Sequence, residues 1–216
     1  MNNQPTNFVV AINRECGTGG HTIAKLIGKK LGVNVYDRAM LDSLTEKYGL
    51  TKEKIEQIKS KRTHWWTDFQ LFYRQFDTMG QAVSDAKPRV TSLQLYYAET
   101  QILRDLASKE SCVVVGRSSF SVFSDHPCVT RIFITASDEY RIARMMRKRS
   151  ITDKEAKRIM DDFDESRENY TRTFAKTSRY DARNYDIVFN VSDYTEEEAA
   201  QFLTDLIVYR NKKKGL

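Results

Sequence analysis

Apolar positions in this chain follow two rhythms, and their alternation outlines a fold. Residues 8–13 (FVVAIN) form a short unbroken apolar run that stops at a glycine cluster, as a buried parallel strand does. In residues 22–32, Ile23, Ala24, Leu26, Ile27 and Leu31 recur at helical spacing, with Lys25, Lys29 and Lys30 mostly off that stripe. That is an amphipathic helix. Gly32 is placed to cap it, and residues 33–36 (VNVY) read as a second strand. Parallel strands need a crossover of this kind.

From residue 38 to 109 the pattern is helical throughout: 38–50, 51–62, an aromatic stretch from Trp65 to Met79, and 92–107, with a break at Lys87-Pro88. Strand-like runs return at 111–116 (SCVVVG), 129–136 (VTRIFITA) and 186–191 (DIVFNV). Between them lie helical stretches at 136–149 and 150–176, the first with Ser137 or Asp138 as its N-cap. The acidic start of 195–210 favours a last helix, because carboxylates suit the positive end of the helix dipole. Five apolar strands alternating with helices predict an α/β fold: one three-layer domain with a five-stranded parallel sheet. Its core covers 7–37 and 110–211, and a helical insert covers 38–109.

With 216 residues, 40% of them hydrophobic, the chain can bury a core of this size. No apolar run reaches the roughly 18 residues of a membrane span, and the first residues lack the basic, apolar pattern of a signal peptide. Cys16, Cys112 and Cys128 show neither paired nor metal-ligand spacing, so a reducing, cytoplasmic setting is expected. The net charge of +6 matters through its placement, in RIARMMRKR (141–149) and RNKKK (210–214). No nucleic-acid reader motif accompanies those clusters, which argues against such a partner. A solvated helix face or contacts to small phosphates explain them better.

Three constellations carry candidate chemistry. A loop joining a parallel strand to a helix offers backbone N–H groups and a positive dipole end to an anion. Gly17, Gly19 and Gly20 let such a loop curl. The Walker A pattern G-x-x-x-x-G-K-[ST] would set glycine at Arg14 and lysine at Gly20; it keeps Gly19, and Thr22 follows one residue late. Within the loop, Arg14 and His21 alone could restore positive charge. The second constellation is VVVGRSSF (113–120), where Arg117 follows a strand end on the ligand-binding side of an open α/β sheet. In the third, Arg141, Arg144 and Lys148 share one helix face, and Asp164 and Arg167 stand at i,i+3. A row of cations could neutralise a transferring phosphoryl group, or it could be an exposed salt-bridge lattice.

The motifs INRECGTGGHTIA, VYDR, VVVGRS, RIFITASDEYRIAR, D-x-x-R-x-x-Y (Asp164 to Tyr170) and YDIVFNVS together resemble the cytidylate-kinase-like family of P-loop proteins. The resemblance spans nearly the whole chain in order, apart from 50–105. It implies a P-loop kinase fold with a helical acceptor-binding insert and an arginine-rich lid at about 144–167. It implies ATP and Mg²⁺ as cofactors and a nucleoside monophosphate, most simply CMP, as acceptor. The loop residues Gly17, Thr18, Gly19, Gly20, His21 and Thr22 would hold the donor phosphates, with the Thr22 or Thr18 hydroxyl on the metal or a phosphate. Asp37, Arg117, Asp164 and Arg167 would meet the acceptor. Arg14, Arg144, Lys148 and Arg167 would supply the charge for transfer.

Departures accompany the likeness. Cytidylate kinases proper carry lysine at the Gly20 position, Asp-Gly at Val115-Gly116 and aspartate at Ser118, whereas the lysine-free R-E-x-G-x-G-G loop marks a branch of the family. Binding without transfer, and phosphorylation of another small molecule, are the alternative expectations. The aromatic residues Trp65, Phe69, Phe72 and Phe76 recur at helical spacing and suit a core face or a homodimer contact.

Overall fold

The computed structural model describes residues 7–37 and 92–216. Five strands, β1 (Val9–Arg14), β2 (Asn34–Tyr36), β3 (Cys112–Val115), β4 (Val129–Thr135) and β5 (Ile187–Asn190), form one parallel sheet. Their order is β2-β3-β1-β4-β5. The described helices are α1 (Gly20–Leu31), α2 (Ser92–Lys109), α3 (Ser119–Val122), α4 (Asp138–Arg149), α5 (Asp153–Ala175) and α6 (Glu196–Lys213), with a 3₁₀ turn at Ala182–Asn184. The fold is therefore α/β with a five-stranded parallel sheet. The helices expected at 38–50 and 51–62, the aromatic stretch at 65–79 and its dimer contact lie outside the described residues.

The chain divides into two compact units, Met1–Leu41 with Leu103–Leu216, and Asp42–Ile102. The sheet and the glycine loop belong to the first. Of the second, the described part is the beginning of α2.

Burial along the strands accounts for their order. β3 is buried throughout, and β1 and β4 nearly so, whereas β2 and β5 both carry exposed positions, as edge strands do. Val10 and Ile12 of β1, Val113 and Val115 of β3, and Ile132 and Ile134 of β4 share one sheet face. Onto it pack Ile23, Ala24 and Ile27 of α1 and Ala199, Ala200, Leu203 and Ile207 of α6. Each fully buried isoleucine or leucine there contributes about 1.5–3 kcal/mol. On the opposite face Phe133 meets Phe120 and Tyr185.

The helix ends follow their side chains. Gly32 closes α1 at φ 67°, its N–H on the Gly28 and Lys29 carbonyls. Ser137 caps α4 by accepting the Tyr140 N–H, at 3.2 Å. Thr152 with Glu155 and Thr195 with Glu198 form reciprocal capping boxes at the starts of α5 and α6. One feature differs from the simplest strand–helix–strand expectation: β3 lies between β1 and β2, so the α1 crossover skips a strand position. β1 sits at the centre, pairing Val9 with both Cys112 and Val129.

Candidate functional site

The β1–α1 loop is held from three sides. The Glu15 N–H donates to the Ile134 carbonyl (3.0 Å), which ties the loop to the end of β4. Its carboxylate accepts the Thr135 hydroxyl and lies 3.6 Å from the Arg141 guanidinium. The Cys16 N–H donates to both Asp164 oxygens, at 2.9 and 3.2 Å, and the Cys16 carbonyl accepts Arg141 Nε at 2.7 Å. Burial pushes the Cys16 thiol pKa up, so this sulfur stays protonated at neutral pH.

Glycine is required at the tip for two reasons. Gly17 and Gly19 take φ of 89° and 81°, and a Cβ on Gly17 would come within 3.0 Å of Arg141 Cβ and O. α4 thus packs directly on the loop. The N–H groups of Gly17, Thr18, Gly19, His21 and Thr22 donate to no acceptor among the described residues. They stand at the N-terminus of the 12-residue helix α1, where the dipole is positive. The loop can accept an anion.

Side chains around it differ from expectation in several places. The buried Thr18 hydroxyl donates to the Glu15 carbonyl (2.9 Å) and accepts the Gly20 N–H (3.3 Å), so it staples the turn and is not available to a phosphate or metal. Thr22 is half-buried, and its hydroxyl makes no hydrogen bond among the described residues. His21 approaches Asp37 at 3.5 Å. Burial, with the charges of Lys25 and Arg14, outweighs Asp37 and lowers the His21 pKa, which leaves the imidazole neutral at pH 7. That removes His21 as a source of positive charge and leaves Arg14 in that role. Arg14 is mostly buried; desolvation and the nearby Arg167 and Arg179 lower its pKa to about 10, so it stays charged at pH 7.

The expected substrate residue Asp164 is the hub of an arginine cluster. Its buried carboxylate accepts from Arg141, from Arg167 (3.2 Å) and from Arg179 (3.2 Å), in addition to the Cys16 amide. A carboxylate shared among four donors is committed to holding α4, α5 and the loop together. Arg141, expected in a row of cations on one helix face or in an exposed salt-bridge lattice, is instead a buried strut between α4, the loop and α5. Arg144 reaches the loop but pairs with Glu196 at the start of α6. A Cβ on Gly19 would lie 2.6 Å from Glu196 Oε1 and 3.1 Å from Arg144 Nε. Lys148 is exposed near the end of α4 and makes no ion pair among the described residues.

Sequence reasoning missed Arg179. It is 3% exposed, bonds Asp164 and the Arg14 carbonyl, and lies over the Phe133 and Tyr180 rings at 5.5 and 5.2 Å. It falls in an irregular segment between α5 and the 3₁₀ turn, where no periodicity marks an interior residue.

At the end of β3, Gly116, Arg117 and Ser118 take consecutive positive φ of 82°, 56° and 48°. For the two non-glycine residues this costs of order 1–3 kcal/mol each and has to be held by surrounding contacts. The Ser118 hydroxyl lies 3.2 Å from that of Thr171, and the Arg117 guanidinium lies over the Tyr170 ring at 5.7 Å. Arg117 is thereby presented at the carboxyl edge of the sheet, beside the glycine loop.

Residues 9–193 match the model of the cytidylate kinase-like family. No curated protein matches the chain. Among solved structures, an uncharacterized protein from Eubacterium ventriosum ATCC 27560 is similar at 20% identity and a TM-score of 0.69, over 93% of this chain and 98% of that one. TT1252 from Thermus thermophilus is similar at 13% identity and a TM-score of 0.51, over 94% and 97%. A shikimate kinase from Bacteroides thetaiotaomicron has 15% identity and a TM-score of 0.49, over 93% and 98%. At these identities the likenesses concern the fold alone. No described helix is long and apolar enough to cross a membrane.

Proposed function

Because this chain belongs to the cytidylate kinase-like family, we propose that it transfers the terminal phosphoryl group of ATP to a nucleoside monophosphate, with CMP as the acceptor. The observation that carries this reading is the set of unspent amides of Gly17, Thr18, Gly19, His21 and Thr22 at the start of α1, with the charged Arg14 beside it. Phosphoryl transfer asks the protein for position and positive charge more than for covalent chemistry. An oxygen of the acceptor phosphate bonds to the γ-phosphorus, the bond from that phosphorus to the β–γ bridging oxygen breaks, and ADP leaves.

The residues divide between the two substrates. Loop amides and Arg14 hold the donor phosphates. Arg117, held at the strand edge by its left-handed backbone, faces the acceptor base, with Asp37 and the half-exposed Arg167 toward the sugar phosphate. Arg144 and Lys148 are the lid cations that would close over the donor. Among the described residues no three His, Cys, Asp or Glu side chains form a metal cage. The Thr22 hydroxyl, unpaired at the head of α1, suits a metal that arrives with the nucleotide. Mg²⁺ bound in this way would offset negative charge on the donor phosphates.

A coupled assay with Mg-ATP against CMP, UMP, AMP and GMP tests the reading, with thermal shifts recorded for each nucleotide. CDP formation is expected. Thermal stabilisation by ATP without product from any of the four would replace transfer by binding alone. Absence of both would overturn the nucleotide reading itself.

A further inference from the structure

Two positions of the loop differ from the Walker A pattern, Arg14 for glycine and Gly20 for lysine, and the structure joins them. Arg14 leaves the end of β1 with its stem lying where a side chain on Gly20 would begin: a Cβ there would be 2.8 Å from both Cβ and Cγ of Arg14. The guanidinium then passes Gly116 at the end of β3, where a Cβ would fall 2.5 Å from Nη1. Real Cβ atoms do not come so close. One side chain therefore runs through space that two glycines leave open, across the carboxyl ends of the neighbouring strands β1 and β3.

The charge around this arginine is unbalanced. Among the described residues its guanidinium donates no hydrogen bond and meets no carboxylate at ion-pair distance; Arg167 and Arg179 stand near it instead. Asp164 is divided among Arg141, Arg167, Arg179 and the Cys16 amide, and Glu15 faces Arg141. Four guanidinium groups, those of Arg14, Arg141, Arg167 and Arg179, thus share three carboxylates, Glu15, Asp138 and Asp164, and none of the three pairs with Arg14. A mostly buried cation with two like charges beside it, and with the nearby Asp164 already shared among other arginines, is costly without a counter-ion. The unspent amides of the loop stand at the head of α1, directly after the strand that carries Arg14.

We propose that Arg14 and Gly20 are a reciprocal exchange of the Walker lysine. The phosphate anchor comes from the strand before the loop instead of the helix after it, and Gly20 is glycine to admit its stem. The ligand is the polyphosphate of a nucleoside triphosphate, gripped by a planar two-pronged guanidinium where the usual loop offers a point charge. This inference rests on the phosphate-binding reading of the loop.

Calorimetric titration of the full chain with Mg-ATP and with inorganic triphosphate, alongside melting of the free protein, tests it. Arg14→Gln is expected to weaken both ligands about 10- to 100-fold and to leave the melting temperature of the free protein unchanged or higher, because an unpaired, repelled cation has been removed. Arg14→Lys should fall between that variant and the parent. Gly20→Lys alone should bind poorly, since its stem collides with Arg14, whereas Arg14→Gly/Gly20→Lys should recover binding to within about tenfold of the parent. If the parent binds ATP and Arg14→Gln binds it within threefold as well, the anchor is refuted while the loop reading stands. Failure of the double variant to bind better than Arg14→Gln refutes the exchange. So does an Arg14→Gln protein that melts several degrees lower, since that marks a structural strut. A parent that binds neither ligand overturns the loop reading together with this one.

Discussion

Asp164→Asn probes the hub beneath the loop. The substitution keeps shape and removes the negative charge that Arg141, Arg167 and Arg179 share. The Arg141 and Arg179 side chains are only 9% and 3% exposed, so water cannot replace the lost partner, whereas Arg167, at 31%, can turn outward. Removing one member of a buried ion pair costs about 3–5 kcal/mol. The asparagine NH₂ would also face a guanidinium or the Cys16 N–H, donor against donor. For a chain of this length each kcal/mol lowers the melting temperature by about 2–4 °C, so a fall of roughly 6–20 °C is expected. Salt should recover little of it, because buried charges are weakly screened. Differential scanning calorimetry on the parent and the variant measures the loss. In a double-mutant cycle, Asp164→Asn with Arg179→Met should lose less than the sum of the single losses. A melting temperature within about 2 °C of the parent, with only the KM for the acceptor raised, would refute the hub and put Asp164 back on the substrate.

Three further outcomes follow from neighbouring geometry. Gly17→Ala should cost about 1–3 kcal/mol and weaken ATP binding, since φ is 89° and the new methyl meets Arg141 at 3.0 Å; melting and titration check both. Burial opposes ionisation of Asp186, but the Arg131 side chain and backbone and the charge of Arg210 outweigh it and hold its pKa below the ordinary carboxylate range. Its stabilisation is thus complete above about pH 4 and lost as pH falls through the lowered pKa, so Asp186→Asn should melt lower at pH 7 and decline less steeply in acid. Glu196→Gln removes an anion beside Gly19 and frees Arg144 toward the donor, so the apparent Kd for ATP should tighten by about three- to tenfold; a weaker Kd would show that the Arg144–Glu196 pair shapes the loop.

The strands could be read from sequence because each is a contiguous apolar run, and the starts of α4 and α6 because Ser137 caps the one and acidic residues open the other; the capping boxes of Thr152 and Thr195 went unread. The glycine loop was legible for the same reason: positive φ and a helix N-terminus are local properties. Strand order was not, since the place of β3 between β1 and β2 depends on pairings between distant segments. Nor was the fate of the cations. Arg141 has the spacing of a solvated helix face, yet its partners Cys16 and Asp164 lie 125 and 23 residues away and bury it. Thr18 looked like a ligand by type; the structure spends it on the turn. Helix α3 and the 3₁₀ turn are too short to show a period at all.

The central place of β1 also has a consequence for how the protein is made. Both hydrogen-bonding edges of that strand are filled by segments that follow residue 110, and the first such pairing, Val9 with Cys112, joins segments about 100 residues apart. On a ribosome adding about 5–20 residues per second, the earliest strand waits some 5–20 s with both edges unpaired. Moving this strand behind the others, by circular permutation, should shorten that exposure and raise the soluble yield of the nascent chain.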